Sequence, residues 1–303
     1  MKSTWLRVAL FAVVLVAPRT STAAHVEGTA CDAGIPADET TGFRSFPRGN
    51  VFCPFLADPK AGSFASYLRA SSSSVFGTDL GSIGVADDLG IFRWNGPTVG
   101  EGLQFGIDAG VFAQFDLNVT TFDLLNADYT LGLPLTFRRG RFSSRLRVYH
   151  QSSHLGDQLA FRAGVPAEEN FAFEAGEAML SFDLAALRVY GGGELVFNLR
   201  PIGGEDAGVA HAGVELRQPG ALFPSGSRNR VRLVAALDVK AADQRDWEPA
   251  WSARAGLEMG RTPGAEHLSR PWRLLAEYYD GPSPYGYFAE DVRSYGVGLH
   301  LGD

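Results

Sequence analysis

The chain has 303 residues, of which 45% are hydrophobic and 20% charged, with a formal net charge of −7. The acidic balance argues against a nucleic-acid partner, because nucleic-acid binding surfaces are strongly basic. The near-zero mean hydropathy excludes a protein built of membrane-spanning helices, but a membrane β-barrel needs an apolar residue only at every second strand position.

The first residues have the pattern of a secretory signal peptide, predicted over residues 1–24. Lys2 and Arg7 provide the basic start, Val8–Ala17 is a short apolar core, and Ser21–Ala24 offers small residues for cleavage. The apolar core is too short to cross a bilayer as a helix. We therefore expect a chain that is exported and cleaved.

Residues 25–61 are irregular, with small residues, acids, glycine and proline, and are predicted to form a periplasmic arm or plug. Both cysteines of the chain, Cys31 and Cys53, lie in this arm. An oxidising compartment permits a disulfide between them, which would stabilise the fold by roughly 3 kcal/mol through loop closure. Two cysteines without a nearby histidine pair do not make a zinc site, so no metal site is predicted.

The rest of the chain, residues 62–303, alternates apolar and polar side chains over long segments. Leu103, Ile107 and Val111 share one face of such a segment, and Gln104 and Asp108 lie on the other. A soluble β-sandwich also alternates, but its strands are usually about 5–6 residues long, whereas tilted membrane strands need about 9–11. Twelve strands are predicted, near residues 64–71, 82–94, 102–117, 128–138, 142–153, 170–183, 186–199, 208–217, 229–240, 250–260, 271–280 and 292–301.

This pattern predicts an all-β fold, a transmembrane antiparallel β-barrel of about 12 strands with an irregular N-terminal arm, and an even strand number places both barrel ends on the periplasmic side. The predicted location is the bacterial outer membrane, and the predicted partners are membrane lipids, lipopolysaccharide and the barrel assembly machinery. The first functional hypothesis is a narrow or partly filled lumen that passes or binds small solutes. The polar side chains assigned to this lumen are Arg145, Arg147, Arg188, Glu194, His211 and Glu215.

The segment RLRVYHQSSHLGD, residues 145–157, carries the pattern that points most directly to chemistry. His150 and Ser152 share a face with the apolar Leu146 and Val148, which is the face toward lipid. Residues two apart on a strand point the same way, so His150 can act as the base that takes a proton from the Ser152 hydroxyl. The second functional hypothesis is therefore a serine-type hydrolase.

A histidine base also needs a group that orients its ring. On the predicted strand 170–183, Glu174 and Asn170 have the right parity, and Glu174 falls opposite His150 if Phe142 pairs with Phe182. Barrel stagger can shift this register by several residues. Both residues therefore remain candidates, Glu174 before Asn170.

The same segment also fits a hydrogen-bonded extracellular turn without catalytic function. Ser153, His154, Gly156 and Asp157 lie at the end of the predicted strand, and Gly-Asp is a sequence that turns use. A structural loop or a ligand contact is therefore the favoured interpretation of this segment, and acyl hydrolysis is the alternative.

Two stretches, FLADPK at Phe55–Lys60 and YHQSSHLGD at Tyr149–Asp157, resemble a bacterial family of outer-membrane barrels that carries a domain of unknown function. The resemblance covers most of the mature chain and implies the fold and the location, but no activity. The chain departs from the usual pattern at its end, Leu301–Asp303, where outer-membrane strands often finish on an aromatic residue.

A second, local resemblance concerns His150-Gln151-Ser152, which is similar to the H-x-S motif of outer-membrane phospholipase A and of the outer-membrane lipid A deacylase. In those barrels the histidine and serine face lipid near the outer rim. The resemblance implies a lipid acyl hydrolase as the alternative function, and calcium as a cofactor under that alternative alone. The chain has Ser153 where those families usually have asparagine, and no arginine-rich calcium loop follows.

Overall fold

A computed structural model of the protein describes residues 35, 41–72, 78–163, 171–200, 207–222, 229–261, 271–286 and 290–301. Within these residues the secondary structure is almost entirely β. No helix in this part of the chain combines the length and the apolar character needed to cross a membrane. The strands are β1 (Gly42–Ser45), β2 (Ser63–Ser72), β3 (Asp79–Asn95), β4 (Gly102–Asp116), β5 (Asp123–Arg139), β6 (Phe142–Leu155), β7 (Phe171–Leu184), β8 (Leu187–Arg200), β9 (Ala207–Arg217), β10 (Asn229–Ala242), β11 (Pro249–Arg261), β12 (Trp272–Pro282) and β13 (Asp291–Leu301); the helices are α1 (Asp157–Ala163) and a short 3₁₀ turn (Asp243–Arg245).

Strands β2 to β13 form a closed barrel. Each pairs antiparallel with its neighbours in sequence, and β13 pairs with β2, Leu301 lying opposite Ser63. Closure leaves no free edge between the first and last strands of the barrel. The predicted fold class, an antiparallel barrel of twelve strands, is confirmed. The predicted irregular arm contains one addition, because β1 pairs with the end of β3, Gly42 lying opposite Asn95.

The polarity of the barrel wall is the reverse of that of a soluble protein. In β4, Leu103, Ile107 and Val111 are exposed on the outside, whereas Gln104 and Asp108 are buried inside. An outer apolar band around a polar interior is the arrangement that a surrounding bilayer stabilises. The alternation in the sequence therefore comes from lipid on one side and a filled, polar lumen on the other.

Two elements near the candidate site differ from the prediction. Strand β5 begins at Asp123 rather than near residue 128, and helix α1 replaces the expected loop after Gly156. The two differences are connected, because Leu159 of α1 packs with Leu125 of β5 in one buried apolar cluster. This contact covers Leu125, whose apolar side chain breaks the alternation of polar and apolar residues at the start of β5.

The lumen is occupied by the segment that joins β1 to β2, residues 47–61, which we call the plug. Its apolar side chains are buried, with Phe52 and Phe55 packed against Met179 and Tyr190. Arg188 donates hydrogen bonds to the carbonyl oxygens of Cys53 and Pro54 at 2.9 and 3.2 Å, Arg254 to those of Leu56 and Asp58 at 3.0 and 3.1 Å, and Arg138 to that of Val51 at 3.0 Å. Wall arginines thus satisfy the carbonyl groups of an irregular buried backbone.

Part of the predicted N-terminal organisation lies outside the described residues. The predicted signal peptide, residues 1–24, is among these, as is Cys31. Cys53 is disulfide-bonded and is buried within the plug. The pairing of Cys31 with Cys53 and the cleavage of the signal peptide remain predictions.

The two ends of the barrel can be defined by the chain. The near end is where β2 begins and β13 ends, and the far end carries α1. Strand β6 runs from the near end to the far end, so residues 150–154 lie in its far half. The predicted topology assigns the far end to the extracellular side.

Candidate active site

Strand β6 presents the candidate residues on two opposite faces. His150, Ser152 and His154 lie on the outer face, together with the exposed Leu146 and Val148. The alternate residues of the same strand face the lumen and are buried: Tyr149, Gln151 and Ser153. The assignment of His150 and Ser152 to the lipid-facing side follows directly from this alternation.

His150 and Glu174 are bonded across two neighbouring strands. Phe142 lies opposite Phe182, and His150 lies opposite Glu174, which is the register predicted from matched strand ends. His150 Nδ1 is 3.1 Å from Glu174 Oε1, with side-chain exposures of 48% and 32%. If Nδ1 carries the proton, it donates to the carboxylate, and Nε2 is left with a lone pair that can accept another proton.

Ser152 lies two residues beyond His150 on the same face and is half-buried. Within the part of the chain that the structure describes, no hydrogen bond joins the Ser152 hydroxyl to the His150 ring. Such bonds are often long in free enzymes and tighten when substrate binds. Ser152, His150 and Glu174 therefore lie at neighbouring positions of one surface, on the outer face of β6 and β7.

Asn198 is a further member of this group that the sequence analysis missed. It lies on β8, where the pairing with β7 shifts register between Ala172 and Glu174, and its backbone has a φ of 55°. Its Nδ2 donates to Glu174 Oε2 at 2.6 Å. Asparagine adopts this left-handed conformation more readily than most residues, and irregular pairing of this kind often occurs beside active sites. An asparagine within a strand pattern is too weak a signal to reveal this in advance.

The remaining residues of the predicted site have mainly structural contacts. Asn170, the second candidate for orienting the histidine, lies outside the described residues. Gly156 meets the wall closely, because a Cβ there would lie 1.8 Å from the Leu124 carbonyl oxygen. Asp157 begins α1. His154 packs edge-on against Tyr129, with ring centroids 5.5 Å apart.

The lumenal side of the same strand is tied to the plug. Lys60 Nζ lies 2.6 Å from Asp128 Oδ2 and donates to Gln151 Oε1 at 3.2 Å. Gln151 in turn donates to Ser153 Oγ at 3.3 Å, and the backbone N–H of Gly286 donates to Asp128 at 3.0 Å. The two stretches FLADPK and YHQSSHLGD therefore meet through Lys60 and Gln151, directly behind His150 and Ser152.

The six residues assigned to the lumen all lie inside the barrel and have partners there. The contacts are Arg145 with Glu177 at 2.6 Å, Arg147 with Asp108, Arg188 with Glu215 at 3.4 Å, Glu194 with the Tyr149 hydroxyl, and His211 with Asp238 at 2.7 Å. One cavity beside the plug has a volume of about 120 Å³, below the roughly 300–1,000 Å³ of ordinary ligand pockets. Among the described residues no group of three or more His, Cys, Asp or Glu is placed to hold a metal ion.

Solved structures with the same fold include two phospholipases. The outer membrane phospholipase dimer of Salmonella typhi with bound calcium is 14% identical, with a TM-score of 0.51, over 80% of this chain and 90% of that chain. An active-site mutant of outer membrane phospholipase A from Escherichia coli is 15% identical, with a TM-score of 0.50, over 82% and 93% of the two chains. At these identities the likeness concerns the fold, which is that of outer-membrane barrels.

Comparison with curated protein sequences finds no match. The model of the family of proteins of unknown function DUF1207 matches residues 12–302. The match spans nearly the whole chain and includes both of the stretches that carried the resemblance. The chain therefore belongs to the DUF1207 family, as the two motifs predicted.

Proposed function

We propose that this barrel is a lipid acyl hydrolase whose site is Ser152, His150 and Glu174 on its outer face. The observation that carries the proposal is the 3.1 Å hydrogen bond between His150 and Glu174, two residues from a serine on the same face. A histidine and a carboxylate are rarely placed on a lipid-facing surface without a function, because polar groups there are costly. The shared fold with two phospholipases supports the same conclusion.

The chemistry follows from the order of the three side chains. His150 Nε2 takes the proton of the Ser152 hydroxyl as the oxygen attacks an ester carbonyl, and the same proton then passes to the leaving alcohol. Water hydrolyses the acyl-serine in the reverse sense, which releases a fatty acid and restores the serine. Glu174 keeps the His150 ring in the required orientation, and Asn198 holds the second oxygen of Glu174.

The position of the site points to the substrate class. Leu146 and Val148 lie on the same strand face as Ser152 and are exposed where lipid would surround them. A substrate must therefore reach Ser152 from the membrane rather than from the lumen. Ester-linked acyl chains of a phospholipid or of lipopolysaccharide meet this requirement. Calcium, which the Salmonella phospholipase dimer binds, enters here as a variable of the assay.

The alternative of solute passage has weaker support. The plug fills the lumen in the described part of the chain, and the residual cavity of about 120 Å³ is too small for an ordinary ligand. The wall arginines that would line a channel are bonded to plug carbonyls or to acidic side chains. The proposed location remains the outer membrane, reached through export by residues 1–24 and insertion by the barrel assembly machinery.

The decisive test compares wild type with Ser152→Ala in detergent-lipid mixed micelles, after heat-modifiable gel migration shows that both barrels are folded. We expect wild type to release fatty acid and the variant to release none, because the variant lacks the hydroxyl that forms the acyl intermediate beside His150. A fluorophosphonate probe should label wild type and spare Ser152→Ala. Both assays are run with and without calcium, on phospholipid and on lipopolysaccharide.

Ser144→Ala is the matched control. Ser144 lies on the outer side of the same strand, opposite Leu180 of β7, toward the near end. This variant should keep full activity and full labelling. Folded wild-type barrels that release no fatty acid from either lipid and take up no probe would refute the proposed function.

A further inference from the structure

Ser152 lies in a part of the wall where its strand is paired with a neighbouring strand on both sides. It is paired with Tyr129 of β5 on one side and with Ala172 of β7 on the other. Serine hydrolases commonly stabilise the tetrahedral oxyanion with backbone N–H groups. The ladders on both sides engage the backbone N–H groups of paired residues such as Ser152, so the donors that an oxyanion here can reach are outward-facing side chains or a bound species.

The nearest outward-facing candidate along the strand beyond Ser152 is His154. It lies two residues beyond Ser152 on the outer face, as His150 lies two residues before it. Its ring contacts the ring of Tyr129 edge-on, at a centroid distance of 5.5 Å and an angle of 82°. Tyr129 is directly opposite Ser152, whereas His154 is opposite Ala127. The contact therefore draws the His154 ring back toward the level of Ser152.

The two histidines that flank Ser152 have different partners. His150 is bonded to the carboxylate of Glu174, which fixes it as the base. In the described part of the chain, His154 has an aromatic partner and is bonded to no carboxylate. The N–H of an imidazole ring held in this way can donate a hydrogen bond to an acceptor.

We propose that His154 donates a hydrogen bond to the oxyanion that forms when Ser152 attacks the ester, with Tyr129 holding its ring. This inference rests on the proposed function and adds to it a fourth catalytic residue. It also explains why a site on a lipid-facing strand carries two histidines around one serine. A donor at the rim of a low-dielectric layer stabilises a developing negative charge more strongly than a donor in water.

The test measures kcat and KM for His154→Ala and His154→Gln on a soluble short-chain ester. Loss of one oxyanion donor typically lowers kcat by roughly 10²–10³-fold, and we expect this for His154→Ala with KM unchanged, because the bond forms only in the transition state. The glutamine amide supplies an N–H from a similar position, so His154→Gln should recover most of the lost rate. A purely structural role would not give this recovery.

Ser144→Ala is again the matched control, because Ser144 lies on the outer face of the same strand but toward its near end. It should retain the wild-type kcat. If His154→Ala keeps kcat near wild type while Ser152→Ala is inactive, the role of His154 is overturned and the proposed function stands. The role of His154 is also overturned if His154→Gln is as slow as His154→Ala. If wild type itself is inactive, the proposed function fails and this inference fails with it.

Discussion

Glu174 is the carboxylate on which the proposed hydrolase site depends. It receives His150 on one oxygen and Asn198 on the other, so its carboxylate plane is fixed from two strands. Asn198 reaches it only because the backbone at that position is left-handed, with a φ of 55°. A conformation of this kind costs free energy for most residues and persists where the surrounding structure maintains it.

Replacing Glu174 should reveal whether its hydrogen bond, which orients the His150 ring, or its negative charge contributes more to kcat. The pair is partly exposed, with His150 at 48% and Glu174 at 32%, and exposed charge pairs contribute only about 0.2–1 kcal/mol. Glu174→Gln keeps an oxygen that accepts from Nδ1, so we expect less than about a tenfold loss of kcat. Glu174→Ala removes the acceptor, and we expect a loss of roughly 10²-fold or more.

Steady-state kinetics on folded barrels in the same micelles measure both variants. The control is Asn198→Gly, which preserves the left-handed backbone and removes the amide, and should lie between wild type and Glu174→Ala. Equal rates for Glu174→Gln and Glu174→Ala would contradict orientation as the function of Glu174.

At the scale of elements, the plug and strand β5 support each other through one buried ion pair, between Lys60 and Asp128. Asp128 is fully buried and Lys60 is the cation beside it, 2.6 Å away. Lys60→Met leaves that carboxylate buried without its counter-charge, which typically costs about 3–5 kcal/mol. We therefore expect a lower free energy of unfolding for Lys60→Met, measured by urea titration in detergent micelles with tryptophan fluorescence.

The double variant Lys60→Met with Asp128→Asn is the control for this ion pair. It removes both charges and keeps hydrogen bonds at position 128, including that from the Gly286 amide. The double variant should therefore be more stable than Lys60→Met alone. A double variant as unstable as the single one would show that Lys60 acts by filling space rather than by its charge.

The elements that the sequence could predict are the barrel strands, because their outer faces contact lipid and must be apolar. Alternation marked all twelve barrel strands, and matching Phe142 with Phe182 at a short turn gave the pairing of His150 with Glu174. Features set by tertiary contacts gave no such signal. Strand β1 depends on the free end of β3, helix α1 depends on the apolar side chain of Leu125, and the position of Asn198 depends on an irregular register.

For the molecule as a whole, the barrel wall and the plug form one continuous interior. The apolar side chains of the plug are buried against the wall, and arginines of four strands bind its backbone or its neighbours. In the described part of the chain, the interior is therefore packed with buried side chains from both the wall and the plug. Stability and the geometry of the outer face both depend on this filling.

A filled interior predicts low conductance. In planar lipid bilayers we expect wild-type barrels to show no stable single-channel steps, because the buried plug lies across the described part of the lumen. An open porin in the same bilayer serves as the control for insertion and detection. Regular unitary steps from wild type that change with Arg188→Ala would support solute passage instead and contradict a closed lumen.

The plug is fixed in the wall at both of its ends. Strand β1 pairs with Phe92 through Ser45, and β2 pairs with Gly84 through Phe64. These anchors lie eight residues apart along β3, or about 26 Å at roughly 3.3 Å per residue. A plug displaced from the lumen would remain attached to the wall at two points. Its effective concentration for rebinding in the lumen would be on the order of millimolar. Its return would be an intramolecular step, independent of protein concentration, so any opening of this barrel would be brief and self-reversing.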